Sequence, residues 1–117
     1  MKIIPYQECY NNKVISLILP IQNKEYDLNL SIDEQPELKN IGKTILFNGG
    51  RFWIALDNNE VIGTIALLRV SENGGILKKF FVSEEYRGEK VGLQLYTALM
   101  AFCKDYHIQI LCLIRHQ

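Results

Sequence analysis

The stretch Val82-Ser83-Glu84-Glu85-Tyr86-Arg87-Gly88-Glu89-Lys90-Val91-Gly92-Leu93 decides how this chain is read, because the hydrophobic pattern changes period across it. Ahead of it, Ile76-Leu77-Lys78-Lys79-Phe80-Phe81-Val82 has the composition of a strand. Behind it, Val91, Leu95, Leu99, Phe102 and Tyr106 recur at helical spacing and predict a helix from about Gly88 to Tyr106. A strand that ends at Val82, a tight polar turn, and a helix that opens between Arg87 and Gly92 make an anion site. The first turn of a helix has about four backbone N–H groups without intrahelical partners and roughly half a positive charge. Gly88 and Gly92 lack a Cβ and admit a ligand close to the backbone, while Arg87 and Lys90 add positive charge.

Outward from this stretch the chain alternates apolar runs with turn residues. Phe52-Trp53-Ile54-Ala55-Leu56 reads as a strand, Asp57-Asn58-Asn59-Glu60 as a hairpin turn and Val61 to Val70 as a longer strand. Ser71-Glu72-Asn73-Gly74-Gly75 returns the chain into the strand that ends at Val82. Beyond the helix, Ile108 to Ile114 is a nearly continuous apolar run, as expected of a strand covered on both faces. Strand, helix, strand at this spacing is a right-handed unit with parallel strands.

The first half is less regular. Ile3-Ile4-Pro5-Tyr6 suits a short first strand. From about Gln7 to Tyr26 an apolar stripe of Val14, Leu17, Ile18 and Ile21 predicts a helix, with Pro20 expected to kink it or split it near Leu19. Ser31-Ile32-Asp33-Glu34 fits a capping box ahead of a short helix from Asp33 to Ile41, with Pro36 at an early position. The acidic cluster of Asp33, Glu34 and Glu37 either complements that helix's dipole or faces a ligand site and binds a cationic amine. Gly42-Lys43-Thr44 fails as a phosphate loop because Glu37 stands where the pattern needs Gly, and Ile45-Leu46-Phe47 does not read as helix; an ordinary turn is expected there.

The chain of 117 residues fits one domain. Thirteen Lys plus Arg balance thirteen Asp plus Glu, so no global field attracts nucleic acid or an anionic membrane. Nor does a basic stripe extend the Lys78, Lys79, Phe80, Phe81 surface toward nucleic acid. The start has too short an apolar run for a signal peptide and no run of ~18 apolar residues follows, so a cytoplasmic protein is expected. Cys9, Cys103 and Cys112 have neither disulfide-framework nor metal-ligand spacing and are expected to be reduced and mostly buried; no metal is expected. His107 suits a partner for the helix C-terminus.

The segment Arg87-Gly88-Glu89-Lys90-Val91-Gly92 resembles the acetyl-coenzyme A signature of the GNAT N-acetyltransferase superfamily, Arg/Gln-x-x-Gly-x-Gly/Ala, with Lys90 in place of the first signature Gly. The run from Phe52 to Ile114 also follows that family's order of elements. The resemblance implies an α/β (α+β) fold: a mixed central sheet, an antiparallel meander followed by a parallel βαβ unit, and helices on both faces. Complete members usually continue with another helix and two strands, including a Tyr that protonates the departing thiolate. Here the sequence stops at Gln117, so a shortened domain, or a homodimer that covers the open sheet edge, is expected.

The resemblance further implies acetyl-coenzyme A as cosubstrate, with the backbone of Phe80, Phe81 and Val82 along the pantetheine arm. Arg87, Gly88, Glu89, Lys90, Val91, Gly92 and Leu93 would then cradle the pyrophosphate. Lys90 is expected to hold ordinary helical angles. The backbone N–H near Phe81 or Val82 becomes the oxyanion donor, a group whose removal typically costs ~3 kcal/mol in the transition state. No carboxylate stands on the strand before the signature, where some members have one; Asp33, Glu34 and, through a water, the backbone of the splayed strand are the alternatives, with Glu34 preferred as base, for a small-molecule or protein amine acceptor. The competing expectation is a module that binds acetyl-coenzyme A without transferring the acetyl group.

Overall fold

A computed structural model of the chain describes residues 1–25 and 28–113, with side chains except at positions 112 and 113. The elements are β1 (Lys2–Pro5), α1 (Asn11–Pro20), α2 (Pro36–Lys39), β2 (Arg51–Asp57), β3 (Glu60–Ser71), β4 (Gly74–Val82), α3 (Val91–Asp105) and β5 (Gln109–Leu113). They form a sheet in the order β1-β2-β3-β4-β5, antiparallel throughout except that β5 runs parallel to β4. This is the mixed sheet expected from the alternation of runs and turns. The β2–β3 hairpin closes on Asn58 and Asn59 at φ 51° and 66°, a pair of left-handed residues whose twist matches that of the strands.

Strand alternation divides the core between the two faces. Phe52, Ile54 and Leu56 of β2 join Val14, Ile18, Leu38, Ile41 and Ile45 on the face covered by α1 and α2. Ala55, Ile65 and Leu67 join Val91, Leu95, Leu99 and Cys103 under α3. Each fully buried Leu or Ile here contributes roughly 1.5–3 kcal/mol of transfer free energy. Gly63 lets α3 approach, since a Cβ there would stand 2.8 Å from Leu95 Cδ1 and 3.1 Å from Val91 Cγ1.

Several expectations shift. Pro20 does not split the first helix: α1 runs through it and widens into a π-type turn over Ile21–Glu25. A widened turn absorbs the missing N–H and the ring clash that an α-turn would not. Gly42–Leu46 is likewise helical, not an ordinary turn, because Leu38, Ile41 and Ile45 bury one continuous face. In the last turn of α3, Cys103 points inward; Tyr106 is 57% exposed and stacks on Phe102 with ring centroids 4.5 Å apart. The i, i+4 series from Val91 therefore ends on Cys103. His107 terminates α3 through its backbone, at φ 56°, with its N–H donating to the Lys104 carbonyl. Cys9 is exposed rather than buried, and Leu111 on β5 is 56% exposed, so that strand is not covered on both faces at this position. Tyr26, Ile114, His116 and the Cys112 side chain fall outside the described residues.

Candidate active site

Beyond Leu77 the edge of β4 is the centre of the site. Pairing with β5 runs from Gly74 to Leu77, and among the described residues no strand pairs with the outer edge of Phe80, Phe81 and Val82. A cleft of about 390 Å³ opens there, lined by Ile21, Glu25, Phe80, Phe81, Val82 and Arg87. It shares Val82 and Arg87 with a second cleft of about 390 Å³, lined by Tyr86, Gly88, Lys90, Val91, Gly92 and Leu93. Strand edge and helix opening thus border one groove, as the adjacent positions in sequence suggest. A larger cleft of about 580 Å³ lies by the β3–β4 turn, but its Arg69 donates to the Gly49, Ser71 and Glu72 carbonyls and offers little to a ligand.

The turn from Val82 to α3 is built from a 3-10 turn at Glu84–Tyr86 and two left-handed residues, Gly88 at φ 88° and Lys90 at φ 67°. Lys90 therefore departs from the ordinary helical angles expected of a side-chain-bearing residue. As N-cap of α3 it precedes a first turn whose residues Val91, Gly92 and Leu93 line the cleft. A non-Gly residue in this region costs about 1–2 kcal/mol, which is the local reason Gly suits the position. A Cβ at Gly88 would meet nothing within 4 Å, so this stretch of backbone is open to a ligand.

Arg87 is not idle beside this turn. Its guanidinium grips the Glu25 carboxylate with both arms, at 2.7 and 2.9 Å, and Nε donates to the Val82 carbonyl at 3.1 Å. The hydrogen bond from Arg87 holds the Glu25 carboxyl below its ordinary range, ahead of burial, which opposes it. Arg87 therefore ties the end of α1's π-type turn to the end of β4, across the groove.

The acidic cluster separates into three roles. Asp33 pairs with Lys39 at 2.8 Å in solvent, a contact of little stabilising worth. Glu34 accepts from the Ser31 N–H at 3.1 Å, completing the capping box read from the sequence. Glu37 turns instead toward β4, 3.1 Å from the Lys79 ammonium and 4.0 Å from that of Lys78. Burial raises the Glu37 carboxyl, but its own backbone N–H, Lys79 and Lys78 more than offset this and leave it below the ordinary carboxylate range.

Lys79 is the residue that periodicity could not place. It is 1% exposed, at φ 54° in the middle of β4. Burial takes its ammonium down to about 8, although Glu37 pulls the other way. The register explains its orientation: Ala66 pairs with Lys78 and Thr64 with Phe81, so Lys79 and Phe80 together oppose Ile65. This bulge resets the alternation, so that Lys78 and Lys79 both reach Glu37 and Phe81 joins the α1/α2 core while Phe80 stays 37% exposed. A hydrophobic-run count carries no signal for such an insertion; the two consecutive lysines inside an apolar strand were the only hint.

Among the described residues no group of three or more His, Cys, Asp or Glu side chains could hold a metal ion, and no helix is long and apolar enough to cross a membrane.

The chain matches the acetyltransferase (GNAT) family over residues 15–116. Its structure is similar to that of a GNAT-family acetyltransferase from Staphylococcus aureus MU50, 38% identical with a TM-score of 0.89, over 95% of this chain and 71% of that one. An acetyltransferase from Streptococcus agalactiae 2603 is 33% identical with a TM-score of 0.88 over the same shares. A predicted acetyltransferase from Clostridium acetobutylicum, solved with acetyl-CoA, shares the fold at 19% identity and a TM-score of 0.78, over 97% of this chain and 79% of that one. No curated protein sequence matches.

Proposed function

Because the chain belongs to the acetyltransferase (GNAT) family, a membership that implies acetyl-CoA-dependent acetyl transfer, we propose that it transfers the acetyl group of acetyl-CoA to a primary amine by direct attack. The observation that carries this reading is the edge of Phe80, Phe81 and Val82, unpaired among the described residues, beside the left-handed turn at Gly88 and Lys90. An extended pantetheine arm pairs with a strand edge, and a pyrophosphate suits N–H groups at the opening of a 15-residue helix. The acetyl-CoA in the Clostridium acetobutylicum structure and the coenzyme A bound to an aminoglycoside 6'-N-acetyltransferase of the same fold support the ligand class.

In this reading the backbone N–H near Phe81 or Val82 stabilises the negative charge that develops on the thioester oxygen. The amine nitrogen forms the new bond to the carbonyl carbon and the carbon–sulfur bond breaks, releasing coenzyme A as thiolate. The amine's proton needs an ionised acceptor. Glu37 suits this better than Glu34, because it faces β4, where Lys79 and Lys78 keep it ionised.

The test is a thermal melt with and without acetyl-CoA, followed by thiol release across a panel of small amines and lysine-bearing peptides. At a hundredfold excess over the dissociation constant, stabilisation of about 2.7 kcal/mol is expected. No shift in a folded sample overturns the ligand assignment. Binding without thiol release on any amine would make the chain an acetyl-CoA-binding module instead.

A further inference from the structure

The bulge at Lys79 is held from three directions. The Thr64 hydroxyl donates to the Lys79 carbonyl at 2.7 Å, from inside the sheet, where Thr64 is fully buried. The Lys79 ammonium donates to Gln35 Oε1 at 2.7 Å and pairs with Glu37 at 3.1 Å. Gln35 is itself locked by a reciprocal pair with Gln22, at 2.8 and 3.0 Å, and both glutamines are buried. The network thus runs from the turn after α1, through the residue ahead of α2, into the backbone of β4.

A buried lysine is a costly way to fill space, and a left-handed lysine inside a strand is strained. Both features sit two residues before Phe81 and three before Val82, whose backbone the groove exposes. The bulge is what turns Phe80 outward and re-aims the backbone that follows it.

We infer that Lys79 is a positioning residue: anchored by Gln35, Glu37 and Thr64, it holds β4 in the left-handed bulge that aims the Phe81–Val82 backbone N–H at the donor's thioester carbonyl, without itself touching substrate. The inference rests on the acetyl-CoA reading of this groove. The groups that face the ammonium are Glu37 from α2, Lys78 from its own strand and the neutral Gln35. Its low affinity for a proton makes the anchor pH-sensitive: above about 8 the ammonium is lost and Glu37 is released.

The test compares Lys79→Met with Lys79→Gly. Methionine keeps the length and the left-handed strain but loses the anchor, whereas glycine adopts the bulge without help. The primary readout is the infrared carbonyl stretch of acetyl-CoA labelled at the thioester carbon, bound to the full chain. A hydrogen bond from the bulge lowers that frequency in the wild type; the shift is expected to vanish in K79M and to return in part in K79G. In turnover, kcat is expected to fall tenfold or more in K79M with the donor KM within about twofold, and K79G is expected to exceed K79M. The fall of wild-type kcat above pH 8 is expected to be missing in K79G.

A space-filling role predicts the opposite order, with glycine worse than methionine. A proton-transfer role predicts equal losses. Either result overturns the inference, as does an unshifted carbonyl in wild-type protein that binds acetyl-CoA. Should K79M fail to fold, Thr64→Val replaces a buried hydroxyl by a methyl of the same shape, and an unchanged carbonyl shift and kcat in that variant overturns it too. Absence of any acetyl-CoA binding by the wild type removes the underlying reading first and is seen in the melt alone.

Discussion

At the scale of single residues, two left-handed side chains mark the site. Lys90 makes a direct prediction: Lys90→Gly relieves the φ of 67° and should stabilise the fold by about 0.5–1 kcal/mol, the left-handed penalty less the entropy glycine loses. Urea denaturation measures it, and calorimetric titration with acetyl-CoA should show donor binding retained. Arg87 makes a second. Arg87→Ala should weaken acetyl-CoA binding, while Glu25→Gln, which removes the carboxylate competing for the same guanidinium, should tighten it severalfold. Unchanged affinity in both variants would assign Arg87 to the groove's structure and not to the phosphates. The position of the signature turn was legible from Arg87, Gly88 and Gly92; the left-handed state of Lys90 was not, because a lysine there reads as an ordinary helix former.

At the scale of elements, the contact of α3 with β3 depends on one missing side chain. Gly63→Val would place a Cβ 2.8 Å from Leu95 and 3.1 Å from Val91 and should destabilise by about 1–3 kcal/mol, with the melting temperature down by several degrees. An unaltered melt would mean that α3 shifts freely on the sheet. The strands were legible because their apolar runs are bounded by turn residues, with Asn58 and Asn59 at the left-handed positions of the β2–β3 hairpin. The helices of the first half were less so. Pro20 announces a break by its local chemistry, yet the buried Val14, Ile18 and Ile21 hold the helix against the sheet and the chain widens instead. Packing outweighs local preference where one apolar face is continuous.

At the scale of the whole molecule, stability should follow two titrations of opposite sign. Glu25, Asp33 and Glu37 lie below the ordinary carboxylate range, so the unfolded chain binds more protons as pH falls through 4; their contribution is present above the unfolded values and lost below the folded ones. Lys79 acts at the other end. Its folded value of about 8 lies below the ordinary 10.5, so between these the unfolded chain keeps the proton longer and the Lys79 contribution to stability rises with pH. Denaturant midpoints measured at pH 7, 8, 9 and 10 should therefore show the wild type gaining stability relative to Lys79→Met as pH rises; parallel curves would contradict the assignment. The amino-acid sequence by itself determined the order of the strands, the hairpin turns and the place of the turn ahead of α3, because each is written in local periodicity and turn chemistry. Tertiary structure alone decided that Glu37 rather than Glu34 faces β4, that Lys79 is buried in a bulge, and that Arg87 is shared with Glu25. Those facts join residues as far as 44 and 62 apart or depend on a one-residue shift in strand register, and neither leaves a trace in the spacing along the chain.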